Sequence, residues 1–275
     1  MARMKVWDWP GTGEKAWFYG GNGFPLGFYE PLMRRLARRV SLSGLHNRAC
    51  WSEAGAPGRG DGWRRYGADL AHAIRARGAG VIGIGHSMGA CSMVLAQRAD
   101  PSLFRALVLV EPAVVSPRAV RVAKRMPKWA GRFVKPVRAA RDRRDHWPDG
   151  AQYLAELQSH PAYRRFDAEA WAAVAAHGTV ANGQGVQLAF PKAWEAHNFF
   201  HAEAVLADVE TLDIPVAVIR GRPSYFFPEP MWHELARVRP DFVTLEDPAF
   251  GHLLPIEAPG SAYDLISQAL SRLSA

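Results

Sequence analysis

The sequence predicts an α/β fold, a mostly parallel sheet flanked by helices, with a helical insertion that divides the sheet into two sequence pieces. Three observations predict it. Strand-length apolar runs alternate with helix-spaced segments up to Pro112. Two of those runs, Val81-Ile-Gly-Ile-Gly85 and Ala106-Leu-Val-Leu-Val110, are almost continuously apolar, as strands covered on both faces are. The alternation stops after Pro112 and returns at Ile214-Pro-Val-Ala-Val-Ile219.

Taken in order, Ala16-Trp-Phe-Tyr19 reads as a strand that ends in glycines. Pro31 to Val40 reads as a helix, with Leu32, Met33, Leu36 and Ala37 on one face and arginines on the other. Val40 to Leu45 is the next strand. Trp63 to Ala76 has helical spacing, with Tyr66, Leu70 and Ile74 in line. The strand Val81 to Gly85 enters a turn at His86-Ser87-Met88, and a small-residue helix runs from Gly89 to Ala99. From Pro112 to about Ala204 the sequence shows helical segments and loops but no strand. Phe242 to Leu245 gives one more short strand, and Ala262 to Leu273 a closing helix.

Composition narrows the function classes. Of the 275 residues, 48% are hydrophobic and 22% charged, the balance of a folded chain rather than a disordered one. No apolar run is long enough to span a bilayer. The stretch Met1 to Trp9 holds Arg3 and Lys5 but no apolar signal core, and only two cysteines occur, Cys50 and Cys91. A reducing cytoplasm without disulfides is therefore expected, and neither cysteine has zinc-ligand company.

The net charge of +8 is concentrated between Arg118 and Arg144. There Arg118, Arg121, Arg125, Lys128, Arg132 and Lys135 recur at helical spacing, and Val122, Met126, Trp129 and Phe133 run along another face. This predicts an amphipathic helix interrupted near Pro127 and Pro136. The favoured reading is a solvated cationic face over an apolar underside packed on the core. The other is a surface that gathers anionic substrates or touches anionic lipid. No nucleic-acid-binding motif accompanies it.

Gly85-His86-Ser87-Met88-Gly89 fits G-x-S-x-G and sits between an apolar strand and a helix. A serine on so sharp a turn holds an unfavourable backbone conformation, and small flanking residues let strand and helix approach. The turn exposes the hydroxyl and aims a helix N-terminus at it, which favours negative charge there. Ser87 is thus the candidate nucleophile. Serine at its free pKa is a poor nucleophile and needs a base. Of ten histidines, His252 is the best placed, in the loop Ala249-Phe-Gly-His-Leu-Leu-Pro255 between the last strand and the closing helix. The side chain of His86 is expected to point away from the hydroxyl. His197 and His201 are expected on a helix surface.

A tetrahedral intermediate needs two N–H donors. Met88, directly after the nucleophile, supplies one. The Gly-rich turn Gly20-Gly-Asn-Gly-Phe-Pro25 supplies the other, from Asn22 or from the neighbouring Gly21. Gly21, Phe24, Trp194 and Phe199 are the candidate pocket residues, with Trp171 and Phe200 as further aromatic candidates for its roof.

Together, Gly20-Gly-Asn-Gly-Phe-Pro25, Gly85-His-Ser-Met-Gly89, Ile214-Pro-Val-Ala-Val-Ile-Arg-Gly221 and Gly251-His-Leu-Leu-Pro255 resemble the α/β-hydrolase fold family. The resemblance implies a core over residues 1–112 and 205–275, with residues 113–204 as a helical cap. It implies hydrolysis of an ester or related acyl bond, or of a lactone or certain C–C bonds, and requires no metal or organic cofactor. Epoxide hydrolases and haloalkane dehalogenases of this fold use an aspartate nucleophile, and Ser87 argues against both.

Two departures from the family pattern stand out. Many members carry histidine where this chain has Gly20. The usual triad acid follows the strand ending at Ile219, yet Arg220-Gly-Arg-Pro-Ser-Tyr-Phe-Phe227 holds no carboxylate. Some members place the acid after the preceding core strand, which here is Glu111. Glu111 is therefore the expected acid, with Asp247 and Glu229 as alternatives. The rival readings are a non-catalytic binding protein that keeps the fold, and a peripheral membrane lipase that uses the basic stretch.

Overall fold

The structure, a computed structural model, describes residues 4–52 and 54–274; Arg3 lies outside the described residues. Among the described residues, seven strands form one sheet: β1 (Val6–Trp9), β2 (Lys15–Tyr19), β3 (Ser41–Leu45), β4 (Val81–His86), β5 (Phe104–Val110) and, after a long excursion, two later strands. The excursion carries three short strands, β6 (His146–Trp147), β7 (Thr179–Ala181) and β8 (Val186–Leu188), which pair antiparallel in a sheet of their own. The main sheet resumes with β9 (Val216–Gly221) and β10 (Val243–Asp247). Its order is β1-β3-β2-β4-β5-β9-β10; β1 alone is antiparallel to its neighbour.

The apolar strands are explained by what covers them. Trp17, Tyr19, Leu107, Leu109, Val216 and Val218 face one core, and Ala16, Phe18, Val108, Val110, Ala217 and Ile219 face the other. Successive side chains of a strand point to opposite faces, so a sheet with helices on both sides needs apolar residues at every position. On one side pack α2 (Trp63–Arg75) and α3 (Met88–Ala99), which bring Tyr66, Leu70, Ile74, Met93 and Val94. On the other pack α1 (Glu30–Leu36) with Leu32 and Leu36, and the closing helix (Pro259–Leu273) with Ile266 and Leu270. Each such side chain, fully buried, contributes about 1.5–3 kcal/mol.

The excursion between β5 and β9 holds α4 (Pro117–Arg125), α5 (Lys135–Asp142), α6 (Gly150–Ser159), α7 (Ala168–His177) and α8 (Lys192–Phe200). After it come α9 (Leu206–Glu210), α10 (Glu229–Val238), α11 (Leu254–Glu257) and the closing helix, α12. Three differences from expectation follow from length and burial. Strands β6, β7 and β8 have two or three residues each, too few for an alternation to register. Strand β1 has four residues and lies at the sheet edge, mostly half-buried, so it lacks an apolar pattern. Helix α10 was hidden by the prolines at 228 and 230 that open it.

The basic stretch breaks near its prolines as expected: α4 ends at Arg125, a 3₁₀ turn spans Lys128–Phe133, and α5 starts at Lys135. The Lys128 side chain lies outside what the structure describes. The expected apolar underside is not packed on the core. Val122 is 53% exposed, Trp129 61% and Phe133 69%. The helix is broken into pieces too short to lay one continuous face on the sheet. Among the described residues no helix is long and apolar enough to cross a membrane.

Candidate active site

The parallel register decides where the site forms. Tyr19 pairs with Gly85, Gly85 with Leu109, His86 with Val110, Val110 with Ile219, and Gly221 with Asp247. The carboxyl ends of β2, β4, β5, β9 and β10 therefore lie side by side. Loops leaving that edge converge on one crevice, the usual place for a site in an open parallel sheet.

Ser87 follows β4 with φ 54°, and Glu111 follows β5 with φ 48°; no other described non-glycine residue has positive φ. Such conformations are costly and persist only where the surroundings enforce them. At Ser87 the enforcement is close packing. A Cβ at Gly85 would sit 2.5 Å from the Ala90 Cα, and one at Gly89 would collide with the Tyr19 carbonyl oxygen. Helix α3 thus abuts the sheet and presents its first turn, with Met88 at its head, toward the crevice.

The structure brings Ser87, His252 and Glu111 into one hydrogen-bonded line. His252 Nε2 lies 2.9 Å from Ser87 Oγ, and His252 Nδ1 lies 2.9 Å from Glu111 Oε2. The Glu111 carboxylate is fully buried and also accepts from the Gly221 N–H at 2.6 Å and the Ser224 hydroxyl at 2.5 Å. Ser224, which follows β9, thus holds the Glu111 carboxylate from the neighbouring strand end. The two alternative acids lie elsewhere. Asp247 accepts from the amides of Ala249 and Phe250, and exposed Glu229 pairs with His233 at 3.6 Å.

The loop that carries His252 is held from several sides. Asp247 binds its start. The Gly251 N–H donates to buried Glu257 at 3.0 Å, and Arg165, from the excursion, bridges Glu257 and the Ala249 carbonyl. Burial pushes the Glu257 carboxyl above its ordinary value, against the pull of Arg165. The Phe226 ring lies 4.3 Å from the imidazole, centre to centre.

His86 does point away from the hydroxyl, and its role there was not legible in the sequence. Its Nε2 lies 2.8 Å from the His252 carbonyl oxygen, and its Nδ1 2.8 Å from Tyr29 Oη. The carbonyl can only accept, so Nε2 carries the proton and Nδ1 accepts from the Tyr29 hydroxyl. Tyr29 Oη in turn accepts the Gly21 N–H at 2.8 Å. This relay ties the Gly-rich loop to the histidine loop through three buried groups. Burial lowers the His86 pKa to about 3, which keeps it neutral. Gly20 has a matching reason: a Cβ there would come within 2.7 Å of the Tyr29 ring. The space a side chain at position 20 would take is filled by the Tyr29 ring.

Gly21 therefore has its N–H committed to Tyr29, and it is absent from the cavity wall, a correction to its candidacy as donor and as pocket residue. Asn22 lines the cavity. Its side chain is clasped by α8: it donates to the Glu195 carbonyl at 3.0 Å and accepts from Asn198 at 2.8 Å, while buried Asn198 accepts from the Tyr66 hydroxyl. Beside it, Glu195 is paired with Arg143 at 2.7 Å, and burial raises its pKa.

A cavity of about 1170 Å³ opens over Ser87, Met88 and His252, and Phe24, Phe199 and Phe200 are in its wall. Trp194 is not. It is buried in the core with its indole N–H on the Gly55 carbonyl, because a large ring with one polar atom is best satisfied inside. Trp171 packs against Phe166 instead of roofing the cavity. His197 and His201 are stacked and half-buried, and His197 Nε2 meets the Asp61 carbonyl. Among the described residues, no group of three or more His, Cys, Asp or Glu side chains is placed to hold a metal ion.

No family model and no curated protein matches the chain. Solved structures do. An E-2-(acetamidomethylene)succinate hydrolase superposes with a TM-score of 0.78 at 22% identity, over 98% of this chain and 95% of that one. A peroxisomal α/β-hydrolase of Saccharomyces cerevisiae gives 0.76 at 17% identity, over 99% and 82%. The thioesterase domain from the curacin biosynthetic pathway gives 0.73 at 15% identity, over 96% and 94%.

Proposed function

Because the chain has the α/β-hydrolase fold, we propose that it is a serine hydrolase, cleaving a carboxylic ester or related acyl bond through an acyl-enzyme on Ser87. The observation that carries the reading is the line Ser87–His252–Glu111, with both links at 2.9 Å. A serine beside an imidazole that is itself oriented by a carboxylate is the arrangement that makes a hydroxyl nucleophilic.

Ser87 Oγ attacks the acyl carbon while His252 Nε2 takes its proton. The Nδ1–H donates to Glu111, which holds the tautomer and stabilises the imidazolium. The amides of Met88 and Asn22 receive the oxyanion, in keeping with the commitment of the Gly21 amide elsewhere. Collapse breaks the bond to the leaving oxygen, and His252 protonates it. Water then attacks the acyl-enzyme and gives its proton to His252, which passes it to Ser87 Oγ as the acyl–oxygen bond breaks, releasing the acid and free Ser87. Residues 113–204 act as the cap that shapes the acyl pocket. An ester is the preferred bond, because an alkoxide leaves more readily than an amide anion.

The test is labelling with a fluorophosphonate, read with hydrolysis of esters of graded acyl length and of lactones. Labelling at Ser87 that is lost in S87A and suppressed in H252A is the expected result. Folded wild-type protein that neither labels nor turns over any ester would be a binding protein that keeps the fold, and the reading would fall.

A further inference from the structure

The basic stretch is unlike the rest of the chain. Between Arg118 and Arg144 there are eleven Lys and Arg side chains and one carboxylate, a net charge of +10. The whole chain carries +8, so all other residues together carry −2. Within this cationic segment three large apolar side chains stand in solvent: Val122, Trp129 and Phe133. The Arg132 guanidinium lies 5.4 Å from the Trp129 ring centre and 4.9 Å from that of Phe133. Arg121 and Arg125 are exposed on α4.

The exposed apolar side chains of this segment reach the cavity at Val122. Val122 is exposed and also lines the cavity that holds Ser87, as does Met126 on the same segment. Aromatic rings interleaved with arginines suit the boundary of a bilayer, where rings enter the apolar margin and guanidinium groups reach anionic headgroups. Two copies of the chain would not pair here, because even with Lys124, Arg143 and Arg144 paired to Glu203, Glu195 and Glu156 the contact would oppose two strongly cationic surfaces. A nucleic acid would match the charge and leave the apolar opening unexplained.

We propose that this face docks on an anionic membrane, and that the acyl substrate enters from the bilayer past Val122 and Met126. The docking stands on charge and exposure alone; the substrate route rests on the hydrolase reading of Ser87. The substrate class that follows is the ester or thioester of a membrane-borne amphiphile with an apolar acyl chain.

Co-sedimentation with vesicles tests it. Wild-type protein is expected to bind vesicles containing about one-third phosphatidylglycerol and not pure phosphatidylcholine. Binding is expected to vanish as salt rises from about 0.1 M to about 1 M, where the screening length falls from ~10 Å to ~3 Å. A triple variant, R121Q/R125Q/R132Q, should partition roughly a hundredfold less, at about fivefold per cation. W129S/F133S should lose roughly tenfold or more. None of these five side chains lines the cavity, so both variants should hydrolyse a short water-soluble ester like wild type. S87A should bind vesicles undiminished, which separates docking from catalysis.

A wild-type protein whose Ser87 labels with fluorophosphonate but which stays in the supernatant overturns the docking and leaves the hydrolase. A protein that sediments while Ser87 is inert keeps the docking and loses the substrate route. Lipid-free dimerisation abolished by W129S/F133S would assign the face to a second copy and overturn the proposal. Binding to heparin with none to anionic vesicles would overturn it as well.

Discussion

The strand-end site and the cationic segment above it are built on opposite rules. At the site, buried polar groups are paired: Glu111 accepts three hydrogen bonds, His86 uses both ring nitrogens, and Tyr29 both donates and accepts. In the cationic segment, aromatic rings stand in water, and it is tied to the rest of the chain by ion pairs such as Lys124–Glu203 and Arg143–Glu195 and by a small apolar cluster of Val137 and Ala140 with Ala196 of α8. The difference teaches where geometry matters. Proton transfer needs atoms held to fractions of an ångström, which demands satisfied partners. A surface that meets something else keeps its apolar atoms uncovered until it does.

That comparison can be broken or sharpened. The largest effect belongs to the acid. E111Q removes the charge behind the imidazole while keeping the shape, and kcat should fall on the order of 10⁴-fold with the melting temperature little changed. Full activity in E111Q would assign the acid's role to another group. Next is the relay. Y29F leaves the Gly21 amide and His86 Nδ1 buried without partners, at about 1–3 kcal/mol each, so urea unfolding should show a loss of about 2–6 kcal/mol. A loss under 1 kcal/mol would mean that the relay contributes little.

Acid should expose the buried imidazoles. Burial depresses His86 and His46 from 6.5 to about 3 in the folded chain. The unfolded chain then binds more protons below pH 6.5, so their contribution, complete above 6.5, is lost as pH falls toward 3. Each contributes a slope of up to about 1.4 kcal/mol per pH unit, and H46F should flatten the measured slope by one such share. The smallest effect is expected in the cationic segment, where W129S should change stability by no more than about 0.5 kcal/mol. A larger loss would show that the ring is packed.

Much of the fold could be read without coordinates. The apolar runs that became β2, β4, β5 and β9 are fully covered strands, and covering both faces leaves a mark at every position of the sequence. Strands of two or three residues and the half-buried edge strand leave no such mark. Among site residues, Ser87 and His252 announce themselves through the turn and loop around them. Glu111 needed a comparison with how other chains of the fold place their acid. Tyr29, Ser224, Asn198 and Glu257 carry no motif, since their roles depend on partners 8, 113, 176 and 6 residues away along the chain.

The aromatic residues show the same limit. The sequence offered Trp194 and Phe199 together as pocket candidates, yet one indole closed on the Gly55 carbonyl and one phenyl lines the cavity. It also grouped Val122, Trp129 and Phe133 as an underside, and the chain left them outside.

By itself the sequence determined the local things: which runs become covered strands, where the backbone must turn sharply, and which end of the sheet carries Ser87 and His252. Those follow from sterics and side-chain alternation over a few residues. Tertiary structure decided which carboxylate meets His252, which amide in the Gly-rich loop is taken by Tyr29, and which aromatic faces remain wet. Each of those is a choice among distant partners competing for the same space, and a one-dimensional pattern carries no distance between them.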